Sequence, residues 1–102
     1  MILYNVTIIL ENEIQIEWLN WMQREQIPAI MGTDCFISSR LLKVVDSPNE
    51  GVTYCVQFIS DSIQKLNEFK EKHEGLLNAN TPIEFNNKVV IFPTVMEFID
   101  NQ

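Results

Sequence analysis

The sequence predicts an antiparallel α+β domain in the order β-α-β-β-α-β, with two helices packed on one face of a four-stranded sheet. Three observations carry that prediction. Residues 2 to 10 alternate with a period of two, the period changes to 3.6 from about Glu13, and two β-branched, aromatic runs flank the turn-forming stretch "SPNEG".

The first strand sets Ile2, Tyr4, Val6, Ile8 and Leu10 against Leu3, Asn5, Thr7 and Ile9, and the polar "ENE" ends it. In the helix that follows, Ile14, Trp18, Leu19, Trp21 and Met22 share one broad arc. It should weaken at Ile27, because Pro28 disfavours α geometry in the residue before it, and a short second segment, Ala29 to Met31, precedes the turn "GTD". The runs 35–46, "CFISSRLLKVVD", and 52–60, "VTYCVQFIS", form a hairpin. The second helix opens with Asp61 three residues before Gln64, a capping-box spacing, and carries Ile63, Leu66, Phe69, His73 and Leu77 at helical intervals. A polar, irregular stretch "NANTPIEFNNK" leads to the last strand, "VVIFPTVMEFI". This order is the ferredoxin-like arrangement. Its strand order, 4-1-3-2, makes the last strand an edge, where Pro93 is tolerated.

Composition bounds the partners. With 46% hydrophobic and 21% charged residues in 102, the chain has material for one core, and a single domain over 1–102 is expected. Seven Lys and Arg against fourteen Asp and Glu give a net charge of -7, which repels nucleic acid and anionic membrane surfaces. The apolar start "MILYNVTIIL" has no cationic leader and is too short to span a bilayer, so a cytoplasmic protein is expected. Cys35 and Cys55 match no metal spacing. In a hairpin turning at 46–51, paired residues sum to about 97. The two cysteines miss that register by about seven, so they lie about 20 Å apart at ~3.3 Å per residue and stay reduced. Neither a metal nor a cofactor is expected.

Two helices cover one face of the sheet. In the central strands Tyr4, Val6 and Ile8 with Tyr54, Val56 and Phe58 should face them, leaving Leu3, Asn5, Thr7, Ile9, Thr53, Cys55, Gln57 and Ile59 on the other side. The last strand is apolar on both sides, as is much of the second. A monomer would expose that surface, so a homodimer joined by sheet faces is expected, with a monomer bearing a half-wet sheet as the alternative.

The segments "MILYNVTIILENEIQIEWLNWMQREQIPAIM", "TYCVQF" and "IFPTVMEF" resemble a family of small, functionally uncharacterised bacterial proteins known as a domain of unknown function, over nearly the full length. That family is similar to the dimeric α+β barrel group, which implies the ferredoxin-like fold and a sheet-to-sheet dimer. The wider group includes cofactor-free monooxygenases, haem-degrading enzymes, isomerases and ligand-sensing domains, so the resemblance selects no function. The family pattern runs Trp, then His-Ile-Pro, then Thr-Gly. The chain keeps Trp18, Trp21, Ile27, Pro28 and Thr33, but has Gln26 at the histidine, Asp34 at the glycine, and Pro93 where an arginine is expected.

The candidate site is a pocket between the sheet and the first helix, lined by Trp18, Trp21, Gln26, Asn5 and Gln57, with Arg40 available to hold an anion or a cross-dimer carboxylate. On a helical wheel Glu25 falls between the tryptophans, where desolvation would make it a general acid or base; alternatively it reaches water from the last turn. His73, the single histidine, is the other weak catalytic candidate, or a half-buried packing residue. Cys55 has no neighbouring base to activate it. Three readings stay open: a small-molecule binding or sensing dimer, a cofactor-free monooxygenase-like or isomerase-like enzyme, and a purely structural or interaction module.

Overall fold

The computed structural model describes residues 1–48, 50–78 and 81–99. Strand β1 (Ile2–Leu10) leads through a tight turn at Asn12–Ile14 into helix α1 (Gln15–Trp21). Helix α2 (Ile27–Met31), strand β2 (Ser38–Lys43), strand β3 (Val52–Ser60), helix α3 (Ile63–Lys72) and strand β4 (Val89–Glu97) follow. The sheet order is β2-β3-β1-β4, with each neighbouring pair antiparallel. This is the expected ferredoxin-like topology, with β4 and its Pro93 at an edge.

The hairpin register is the one its turn implies: Ser38 pairs with Ile59 and Lys43 with Tyr54. β2 is shorter than the run 35–46, although backbone bonds from Ile37 to Ile59 and from Val44 to Thr53 extend the ladder at both ends. Cys55 lies opposite Leu42, and both cysteines are free.

The expected break at Pro28 does not occur. Met22–Gln26 form a π-helical turn between α1 and α2, and backbone angles remain helical throughout. A proline inside an α-helix clashes with the carbonyl four residues back and removes a hydrogen bond. Here the ladder has already changed its step, with the Ile27 N–H bonding the Met22 carbonyl, so Pro28 enters as the opening turn of α2, where its missing N–H is harmless.

The cap of α3 also differs from the expected Asp61. Ser62, in extended geometry, accepts a hydrogen bond on Oγ from the Lys65 backbone N–H at 3.2 Å. Losing that bond in Ser62→Ala is expected to cost about 1 kcal/mol, measured as a shift in urea midpoint at constant slope.

The core has two aromatic centres. Beneath α3, Tyr4, Phe36, Phe58 and Phe69 pack with ring centroids 4.9 to 6.2 Å apart. Beneath α1, Trp18 stacks on Tyr54 at 5.0 Å and Trp21 meets Phe85 edge-on at 5.9 Å. Phe85 comes from the stretch that reads as irregular and polar, where a short 3-10 turn, Ile83–Phe85, turns it inward. Ser60, fully buried, donates to the Cys35 carbonyl at 3.0 Å and ties the start of the hairpin to the end of β3.

Tyr4 is buried, and its hydroxyl donates to Glu74 Oε2 at 3.0 Å. Burial first, and the Glu74 carboxylate second, push the phenol well above its ordinary pKa of 10. A raised pKa means that the fold holds the neutral phenol, so this contribution is complete below pH 10 and is lost as the pH rises above it. Denaturant titration should show wild type losing more stability between pH 8 and 11 than Tyr4→Phe does; equal losses would remove Tyr4 as the cause.

Candidate functional site

Strand alternation separates the predicted site residues into two groups. Trp18, Trp21 and Gln26 lie under the helical layer, whereas Asn5, Gln57 and Arg40 point to the opposite, uncovered face of the sheet. They cannot line one pocket, because the thickness of the sheet lies between them.

On the helix side the packing is nearly complete. Trp18 is 1% and Trp21 9% exposed, and the cavity beside them holds about 30 Å³, room for about one water molecule. Gln26 is buried at its border and donates from Nε2 to the Leu76 carbonyl at 2.6 Å. The π-turn explains its position. One extra residue in the turn sets the helix back by about 100°, which moves Gln26 into the core-facing place that an uninterrupted helix would give to Glu25. Glu25 is therefore exposed and lies on an open groove of about 750 Å³ between the helix and residues 82–88. There the Lys88 ammonium, 2.9 Å from Glu13, holds that carboxyl below its usual range. His73 is not within the stripe of α3 but closes its C-terminus, half-buried with its ring 6.3 Å from Phe69.

The Asp34 position also has a structural reason. Its φ of 63° lies in the left-handed region, which glycine adopts without strain and where the family pattern places one.

The uncovered face is ordered in rows that cross all four strands. Arg40, Gln57, Asn5 and Thr94 form the middle row. Leu42, Cys55, Thr7 and Phe92 form one flanking row, and Ser38, Ile59, Leu3 and Met96 the other. Gln57 Nε2 donates to Asn5 Oδ1 at 3.2 Å, Asn5 Nδ2 donates to Thr7 Oγ1 at 3.0 Å, and Thr7 Oγ1 lies 3.7 Å from Cys55 Sγ. Asn5 is thus buried by its neighbours on a face that no helix covers. Thr94 escapes a strand-by-strand reading; placing it in the row requires the β1–β4 register, which sets it opposite Asn5. Around the row, Phe92 is 51%, Leu42 44% and Met96 40% exposed.

Among the described residues no group of three or more His, Cys, Asp or Glu side chains is placed to hold a metal ion. No helix there is long and apolar enough to cross a membrane.

A family model described as a domain of unknown function, DUF4286, matches residues 1–99. The chain is similar to the crystal structure of an ethyl tert-butyl ether D (EthD) family protein from Bacillus halodurans C-125, at 13% identity and a TM-score of 0.64, covering 97% of this chain and 100% of that one. It is also similar to a dimeric ferredoxin-like protein from an uncultured marine organism, at 14% identity and a TM-score of 0.68, covering 100% of this chain and 98% of that one. At such identities the likeness shows the fold alone. No curated protein sequence matches this chain.

Proposed function

The chain belongs to the DUF4286 family, and from that premise we propose that it is a binding protein: a homodimer joined through the uncovered sheet face, with a small molecule held between the two sheets. The observation that carries this reading is the polar row Arg40–Gln57–Asn5–Thr94, framed by exposed apolar side chains. The apolar flanks favour burial, and the polar row gives the buried space direction and selectivity.

The partner is a second copy because of where the charge lies. The chain carries fourteen acidic residues against seven basic ones, yet none of the side chains in the three rows is a carboxylate. Two copies approaching by any strongly acidic face would repel each other, and this face is spared. A self-complementary patch of this kind suits a two-fold pair. The marine ferredoxin-like protein of the same fold is itself described as dimeric, which supports the reading.

Binding is favoured over turnover by the chemistry of the rows. Amides, hydroxyls and a guanidinium do not act as general acids or bases near neutral pH. Sedimentation at micromolar concentration should give a species of twice the 11.9 kDa chain mass. Phe92→Asp, which places a charge in the contact, should shift it to the monomer. A stable wild-type monomer would overturn the proposal.

A further inference from the structure

Among the side chains of the three rows Arg40 is the only charged one. It stands on β2 opposite Gln57, and none of the ion pairs among the described residues includes it. A guanidinium presents five N–H donors and no acceptor. Closing a second copy over this face removes water from those donors and leaves them in need of an anionic partner. The row supplies no anion: Gln57, Asn5 and Thr94 offer only neutral amide and hydroxyl oxygens, and Asn5 Oδ1 already accepts from Gln57. A two-fold partner brings the same residues, hence a second arginine and again no carboxylate. An unpaired charge withdrawn from water weakens the contact without abolishing it, and a ligand anion is the acceptor that relieves this cost.

We infer that the interface site, on whose dimeric reading this inference rests, takes a monocarboxylate with an apolar body, its carboxylate paired to Arg40 and its body lying along the row that begins at Leu42. The planar fork of arginine matches a carboxylate through two parallel hydrogen bonds. A single negative charge is also what the chain admits, because a net charge of -7 opposes a dianion such as a phosphate ester more strongly. The apolar body follows from the flanking row, where Leu42 and Phe92 are exposed and Cys55 and Thr7 add no charge.

The test is calorimetric titration of the full chain with octanoate as probe, and with octan-1-ol and octylamine as controls that keep the body without the anion. Sedimentation is run on each sample. Octanoate should bind the dimer, with both controls at least about tenfold weaker. Arg40→Gln should weaken octanoate by about 10- to 100-fold, the range expected for one charge-assisted contact, with the dimer mass unchanged. Arg40→Lys, which keeps the charge and loses the fork, should fall between. Arg40 is exposed at an edge, so neither variant disturbs the core. A wild-type dimer that ignores octanoate, binds octan-1-ol as well, or is unaffected by Arg40→Gln would overturn the carboxylate inference and leave the dimer standing. A wild-type monomer would overturn the proposed function, and this inference with it.

Discussion

Trp18→Ala is expected to lose about 3 to 5 kcal/mol of stability, the range for deleting a large aromatic side chain from a packed core. The indole is almost fully enclosed and stacks on Tyr54. It also borders the cavity of about 30 Å³, so truncation would join its own vacated volume to a space already present. Small domains have about 5 to 15 kcal/mol in total, and each kcal/mol moves the melting temperature of a chain this size by about 4 to 8 °C. A fall of at least about 12 °C should follow. In urea the midpoint should drop with little change in slope, because the unfolded chain exposes nearly the same surface. A loss under 1 kcal/mol would mean that the two indoles do not hold the helical run on the sheet.

The next largest effect is expected at Gly51. Its φ is 85°, and a Cβ there would meet the Leu10 carbonyl oxygen, a backbone atom that cannot swing aside as a side chain can. Left-handed strain together with that collision should cost Gly51→Ala about 2 to 3 kcal/mol. Gly75 is the internal control. A Cβ at that position meets nothing within 4 Å, so Gly75→Ala should be neutral or stabilising by up to about 1 kcal/mol through the unfolded chain. Thermal unfolding of the two variants side by side checks both, and equal effects would refute the turn argument.

The elements that were legible from the residues are those whose period is set by burial on one face. β1 runs from Ile2 to Leu10 as its alternation implies, and β3 from Val52 to Ser60. The two faces of the central strands divide as expected, because a period of two leaves no freedom once one face is covered. What was not legible depends on a local change of step. Nothing in "WMQREQIP" announces a π-turn, yet that turn exchanges Glu25 for Gln26 on the inner face and carries the chain past Pro28. Ser62 and Asp61 are both good caps, and the choice of Ser62 rests on backbone geometry. The expected site failed as a single pocket for a topological reason: Asn5 and Gln57 lie on one side of the sheet and the tryptophans on the other. The polar row itself was half legible, since Asn5 and Gln57 follow from alternation, while Arg40 and Thr94 join them only through the registers of the two outer strands.

Pro93 sits on β4, an edge of the sheet. Open edges are where sheets grow, by adding the strand of a neighbour and then its neighbour's in turn. A residue with no N–H to offer interrupts that template midway along β4. The other edge, β2, is short and carries Arg40 and Lys43, charges that discourage a flat approach. Both lateral routes to unlimited growth are thereby blunted. The pairing proposed for the flat side of the sheet would stop at two copies, because a two-fold contact uses the same patch on each and leaves none free to recruit a third.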